Sequence, residues 1–236
     1  MNDASVIVQG TEKWFAARRG KVTASRVADL MARTKSGFAA SRANYKAELV
    51  LEILTGNTAV GFTSEAMKWG TEQEPNARAA YAATIFDTVT EVGFVDHPDI
   101  LGAGCSPDGL VGDDGIIEIK CPNTATYLEI LLTDNIPLKW NTQIQMQLDC
   151  TGRKWCDFVC YDPRMPEGAQ LYVQRVERDE IFIATMREMI ITFIKELNDD
   201  VQQIKAKITF IKELHDEVQQ IKAKIKEKQN AKSLSK

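Results

Sequence analysis

Histidine is scarce: the 236-residue chain has two, His97 and His215. Zinc centres rich in histidine and most serine or cysteine triads need better-placed histidines than these, so carboxylates and lysine must carry any catalysis. The five cysteines (Cys105, Cys121, Cys150, Cys156 and Cys160) are odd in number and contain no CxxC pair. That argues against zinc or iron–sulfur ligation and for reduced, mostly buried thiols. No apolar run approaches the roughly 20 residues that a membrane span needs. The start, Met1-Asn2-Asp3-Ala4-Ser5, lacks the basic and apolar regions of a signal peptide, so a cytoplasmic protein is expected. Positive charge is not in excess either. A net charge of −4 speaks against a simple DNA-binding module. A local basic channel or bound cations can still serve a DNA enzyme under an acidic exterior.

The content is otherwise that of a globular domain, and the length allows one well-packed domain plus an appendage. Residues 11–20 read as a short helix with Trp14 and Phe15 on its buried side. Thr23 or Ser25 can cap a second helix running to about residue 32. Residues 34–37 form a basic loop around Lys35; helices are expected at 41–55, closed by Gly56, and at 64–83, with Gly70 inside or at a break. The period then changes. Residues 88–96 alternate as a strand, Cys105-Ser106-Pro107-Asp108-Gly109 and Asp113-Asp114-Gly115 are turns, and 116–120 is a short strand. Helices at 123–133 and 138–150 precede strands at 154–161 and 170–177, joined by a hairpin that begins at Asp162-Pro163. His97, beside Pro98, reads as loop. The order predicts an α/β fold with a central mixed sheet flanked by helices. Trp14, Trp69, Trp140 and Trp155 read as core rather than as base-stacking platforms.

The strand Ile116-Ile117-Glu118-Ile119-Lys120 points its side chains alternately. With Ile117 and Ile119 facing the core, Glu118 and Lys120 share the other face, about 7 Å apart. The Asp113-Asp114-Gly115 turn folds the preceding chain back, so Asp108 meets Glu118 side by side with Lys120 next to them. Two adjacent carboxylates repel, and a hard cation removes that cost. Mg²⁺ prefers oxygen ligands and keeps several waters; Asp108, Glu118 and the main-chain carbonyl of Ile119 suit it. A lone Glu-x-Lys carries little weight. Pro-Asp, nine residues, then Glu-x-Lys on an apolar strand ended by Cys121-Pro122 carries more.

SPDGL and EIKCP together resemble the signature of the PD-(D/E)xK nucleases, and most closely the branch of phage lambda exonuclease and related viral recombination exonucleases. WFAARRGKVTAS at 14–25, MKWGTEQEPNAR at 67–78, WNTQIQMQL at 140–148, YDPRM at 161–165 and ERDE at 177–180 follow that family's motifs in order. The resemblance covers roughly residues 11–185 and implies a restriction-endonuclease-like core. It implies that Asp108 and Glu118 are metal ligands, that Lys120 is the catalytic lysine, and that Glu74 reaches the metal site. Mg²⁺, or Mn²⁺ in its place, is the implied cofactor. Arg18, Ser25, Ser106 and Gln145 match positions that contact the terminal 5′-phosphate or the adjacent backbone. Gln143 belongs to the same Q-x-Q motif. Since i,i+2 neighbours on a helix do not share a face, only one of the two glutamines belongs at the site. Lys35 falls at a basic residue that touches duplex, and Met67 at an apolar wedge for the terminal base pair.

Residues 193–208 recur as 210–225 with fourteen of sixteen positions identical and Thr209 between the copies. The apolar positions from Ile194 to Ile225 are spaced 3-4-3-4-3-3-4-3-4, a heptad seam with one three-residue stammer. This predicts a long amphipathic helix, either packed on its own domain or in a coiled-coil contact. The expected layout is a nuclease domain at 1–192, the duplicated extension at 193–225 and a frayed tail at 226–236. The resemblance implies a 5′→3′ exonuclease on linear duplex DNA, a ring-shaped homotrimer, a single-strand annealing protein as partner, and the cytoplasm of a bacterium that hosts a phage or prophage. An endonuclease or repair nuclease on the same core, and a non-enzymatic protein working through its C-terminal helix, are the other readings.

Overall fold

The computed structural model describes residues 7–58, 64–85 and 87–234, with side chains through residue 226; the Met1 to Ser5 segment lies outside them. The chain opens with α1 (Glu12–Arg18), capped by the Thr11 hydroxyl, which accepts from the Trp14 amide. β1 (Val22–Thr23) and a 3-10 turn (Ala24–Arg26) lead to α2 (Val27–Met31), with no side-chain cap from Thr23 or Ser25. The hairpin of β2 (Arg33–Thr34) and β3 (Gly37–Phe38) precedes α3 (Ala40–Thr55). As expected, Gly56 ends α3 in the left-handed region, at φ 69°, where a side chain would be strained. Ser64 caps α4 (Glu65–Ala82), which runs unbroken through Gly70 and Pro75.

The strand expected at 88–96 is instead two pieces in different sheets, β4 (Val89–Thr90) and β5 (Val95–Asp96). The physical cause lies at Gly93. A Cβ there would come within 2.0 Å of the Ile7 carbonyl oxygen, so the N-terminal backbone occupies the space a continuous strand would need. β6 (Ala103–Cys105), β7 (Gly109–Val111), β8 (Gly115–Lys120), α5 (Thr124–Thr133), α6 (Leu138–Thr151), β9 (Trp155–Tyr161), β10 (Leu171–Glu177) and α7 (Glu180–Leu234) follow.

The central sheet has the order β10-β9-β8-β7-β4 and is mixed: β8 pairs with β9 in parallel, and the other neighbours are antiparallel. A smaller sheet, β1-β6-β5, carries the N-terminal segment. The alternation of β8 sorts two cores. Ile117 and Ile119 pack with Ala77 and Tyr81 of α4, while Ile116 packs with Tyr127, Ile130, Ile144 and Leu148 of α5 and α6. Both faces of β8 are therefore covered, which makes it a central strand in a helix–sheet–helix sandwich. The face that Glu118 shares with Lys120 lies under α6, and Glu118 is buried there, 1% exposed.

His97 lies in a loop, as expected, and its side chain is buried in a hydrogen-bonded network. Its Nδ1 accepts from the Asp99 and Ile100 amides, so Nε2 carries the proton and donates to Asp149 Oδ2 at 2.9 Å. Arg178 and Arg187 also donate to the Asp149 carboxylate. Burial alone would raise the Asp149 pKa, but the hydrogen bonds from His97 and Arg187 outweigh it and hold the pKa below the usual carboxylate range.

The chain falls into two units, Met1–Ile194 and Lys195–Lys236. In the first, α7 buries Ile183, Met186, Ile190 and Phe193, the last stacked on Tyr45 with ring centroids 5.8 Å apart. The second consists of the remaining length of α7, which stays helical to Leu234, well into the stretch expected to fray. No helix of the described residues is long and apolar enough to cross a membrane. All five cysteines are free and buried.

Candidate active site

The antiparallel register pairs Gly109 with Ile117. One step further along, Asp108 stands opposite Glu118, and its amide donates to the Ile117 carbonyl at 3.2 Å. Asp108 Oδ2 accepts from the Ile119 amide at 2.6 Å, which fixes the carboxylate at the end of β8. Lys120 Nζ lies 2.5 Å from Glu118 Oε1. From α6, Gln143 Nε2 donates to Glu118 Oε1 and Gln147 Nε2 to Glu118 Oε2, each at 2.6 Å. From α4, Glu74 takes an ion pair from Arg78 at 2.6 Å, and Arg78 also donates to the Asp108 carbonyl.

These groups perturb one another. Burial, then the charges of Glu118 and Glu74, push the Asp108 pKa well above its usual value. Burial raises that of Glu74 as well, with Glu118 adding to it and Arg78 opposing it. Burial disfavours the charged form of Lys120, but Glu118, Asp108 and Glu74 more than compensate, so its pKa is raised. The three carboxylates thus favour the charged, donating form of Lys120. The Cys121 thiol, driven up to about 12 by burial and by Glu74 and Asp108, is inert.

One cavity of about 530 Å³ collects the predicted residues: Arg18, Ser25, Met67, Glu74, Ser106, Asp108, Glu118, Ile119, Lys120 and Gln143 all line it. A second cleft of about 1210 Å³ shares Gln9, Trp14, Met67 and Glu74 with it. Arg18 stacks 4.0 Å over the Trp14 ring and reaches Ser106 Oγ at 3.4 Å, and Trp14 Nε1 donates to the same oxygen at 2.9 Å. Burial lowers the Arg18 pKa. This guanidinium is thus desolvated beside the Ser106 hydroxyl, a setting that favours an anion.

Two predicted residues lie elsewhere. Gln145 is buried and does not line the cavity. Its amide donates to the Glu177 carbonyl and its oxygen accepts from the Asp179 amide, both at 2.9 Å, so it ties α6 to the start of α7. The helical two-residue offset is the reason: Gln143 faces the carboxylates and Gln145 faces away. Lys35 sits exposed at the turn of the β2–β3 hairpin, outside the cavity lining. As expected, Trp69 and Trp155 pack against one core and Trp140 against the other. Trp14 and Trp140 line the cavity, and neither they nor Trp69 and Trp155 are fully buried. Nothing in α1 is buried, and Phe15 is 43% exposed.

Sequence reasoning missed Gln147, although it stands four residues after Gln143 and so shares its face. Its Oε1 is buried without a hydrogen-bond partner. Among the described residues, no group of three or more His, Cys, Asp or Glu side chains is gathered as a ready-made metal cluster. Glu74 is drawn towards Arg78, and Glu118 is held by Gln143, Gln147 and Lys120. The donor set still suits a hard cation that keeps its waters. Two carboxylates, Asp108 just before β7 and Glu118 on β8, stand side by side with Lys120 against them, and the orphaned Gln147 oxygen is an acceptor for a bound water.

Residues 13–154 match the YqaJ-like viral recombinase domain. The chain belongs to that family. The resemblance read from its motifs is thereby confirmed. A solved structure of LHK-Exo, an alkaline exonuclease from Laribacter hongkongensis, is 51% identical with a TM-score of 0.80, covering 85% of this chain and 100% of that one. A second structure of LHK-Exo, in complex with dAMP, matches equally well. A phage-related exonuclease from Haemophilus somnus, 13% identical with a TM-score of 0.60, covers 78% of this chain and 96% of its own and shares the fold. No curated protein sequence matches the chain.

Proposed function

We propose that this YqaJ-like chain is a Mg²⁺-dependent 5′→3′ exonuclease that degrades linear duplex DNA from 5′-phosphorylated ends, leaving 3′ single strands for annealing. The reading rests on one observation above the rest: Asp108, Glu118 and Lys120 share a cavity with Arg18, Ser25 and Ser106. A cation held by Asp108 and Glu118, with the Ile119 carbonyl and Glu74 completing the set, would polarise a phosphoryl oxygen and acidify a water. Lys120 donates to that water or to the charge that builds on phosphorus during attack. Gln143 and Gln147 keep both Glu118 oxygens in place. Arg18, Ser25 and Ser106 bind the terminal phosphate, which selects a phosphorylated end and sets the scissile bond one nucleotide away. Gln143 joins them as the cavity-facing member of the Q-x-Q pair. Met67 wedges the terminal base pair, and Lys35 touches the duplex backbone from its hairpin.

By family resemblance the working unit is a ring-shaped trimer that encloses duplex and stays attached to it. That accounts for processive digestion without a basic exterior. A single-strand annealing protein takes up the product in the cytoplasm of a bacterial host. The test is digestion of a linear duplex carrying 5′-phosphate on one strand only. Loss of that strand alone, absent with EDTA, on closed circles and in Lys120→Ala, is the expected result. Cutting of circles would replace the exonuclease with an endonuclease on the same core.

A further inference from the structure

Gln147, Gln143 and Lys139 stand four residues apart on α6, and residues so spaced share one face of a helix. All three line the catalytic cavity. Exposure rises along the row: Gln147 is fully buried, Gln143 is half-buried and Lys139 is exposed. The row therefore runs from the floor of the cavity to its mouth. At the floor, Gln147 Nε2 donates to Glu118 Oε2 and reaches the Ser106 carbonyl at 3.4 Å. That is the residue whose hydroxyl Arg18 approaches. One turn out, Gln143 covers the other Glu118 oxygen. Each step is about 5.4 Å, close to the length of one nucleotide along a strand.

Lys139 has no counter-charge in the protein itself. Among the described residues, three cations line the cavity: Arg18, Lys120 and Lys139. Lys120 is paired with Glu118. Lys139 makes no hydrogen bond or ion pair among the described residues; its ammonium lies 5.0 Å from the centroid of the Trp140 ring. Trp140 in turn stacks on Phe158, with centroids 5.8 Å apart, and gives the lysine a fixed rest. α6 begins one residue earlier without a side-chain cap, so the positive end of its dipole adds to the field around Lys139.

We propose that Lys139 is a substrate-binding residue that holds the second internucleotide phosphate of the strand being cut, the one just beyond the scissile bond. The inference rests on the exonuclease reading, which puts the terminal phosphate at Arg18, Ser25 and Ser106 and the scissile phosphate at Asp108 and Glu118. The next phosphate then lies one turn nearer the mouth, at Lys139. A cation there grips the part of the strand that remains after each cut and keeps the shortened end in the cavity.

The test measures binding of the full chain to a blunt linear duplex with 5′-phosphates, with Ca²⁺ in place of Mg²⁺, over a range of salt concentrations. Lys139→Ala is expected to weaken binding about tenfold and to reduce the slope of log K against log salt by about 0.7–0.9. Lys139→Arg keeps both. A neutral methylphosphonate at the second internucleotide linkage should weaken the wild type about tenfold and leave Lys139→Ala within about twofold of its own value. The same replacement at the fifth linkage should affect both proteins equally. Circular dichroism confirms that the variants are folded. An unchanged salt slope in Lys139→Ala, or losses that add at the second linkage, would overturn the proposal and leave Lys139 a solvated lysine. A wild type with no preference for a 5′-phosphorylated end would instead remove the exonuclease reading, and this inference with it.

Discussion

Replacing Asp108 by Asn is expected to make the metal-free protein more stable. The substitution keeps the acceptor for the Ile119 amide and removes a carboxylate that burial, Glu118 and Glu74 disfavour in its charged form. The size can be bounded. An unfolded Asp titrates near 3.9, and one pKa unit is about 1.4 kcal/mol, so keeping this carboxyl protonated at pH 7 costs at most about 4 kcal/mol. Attraction to Lys120 and the Ile119 hydrogen bond reduce that, leaving about 1–3 kcal/mol. For a chain of this size each kcal/mol moves Tm by about 2–4 °C, so the variant should melt about 3–10 °C higher in EDTA at pH 7.5. A folded pKa raised above the unfolded one favours the native state below the unfolded value, and that contribution is lost as pH rises through the folded value. The gap between variant and wild type therefore widens from pH 5 to pH 7.5. Added Mg²⁺ should raise the melting temperature of the wild type more than that of Asp108→Asn. Thermal melts by circular dichroism read all of this. A variant that melts below the wild type in EDTA at pH 7.5 would refute the claim that burial and the neighbouring carboxylates disfavour the charged form of Asp108.

Arg18→Ala should raise KM for a 5′-phosphorylated end about 10- to 100-fold and abolish the preference over a 5′-hydroxyl end, as loss of a charged hydrogen-bonding group implies; kinetics on the two substrates measure it. Gln145→Ala should cost about 1–3 kcal/mol of stability through the unpaired Asp179 amide and Glu177 carbonyl, with kcat unchanged; a large fall in kcat in a folded variant would return Gln145 to the site. Asp149→Asn should destabilise the protein by about 3–5 kcal/mol at pH 7 in urea titration, because Arg178 and Arg187 lose a buried counter-charge. The folded pKa of Asp149 is depressed, so its stabilisation is present above the unfolded value near 3.9 and is lost as pH falls through the folded value; the gap between wild type and variant closes on acidification.

Local chemistry determined much of this protein before folding was considered. The alternation of residues 116–120, the Asp113-Asp114-Gly115 turn and the ten-residue offset from Asp108 to Glu118 dictated a juxtaposition of the three residues, because strand period and hairpin register are short-range properties. Gly56 and Ser64 marked helix ends for the same reason. Chain crossings were not legible. That residue 7 would press its backbone against Gly93 and split a strand into two sheets depends on contacts far apart in sequence, as does the engagement of Trp14 with Ser106 across 92 residues. The choice between Gln143 and Gln145 lay between these limits. Helix geometry stated that the two face opposite ways. Which of them faced the carboxylates was decided only when α6 docked on the sheet with Gln143 and Gln147 over Glu118, a rotation set by the packing of Ile144 and Leu148 against Ile116 and Phe158.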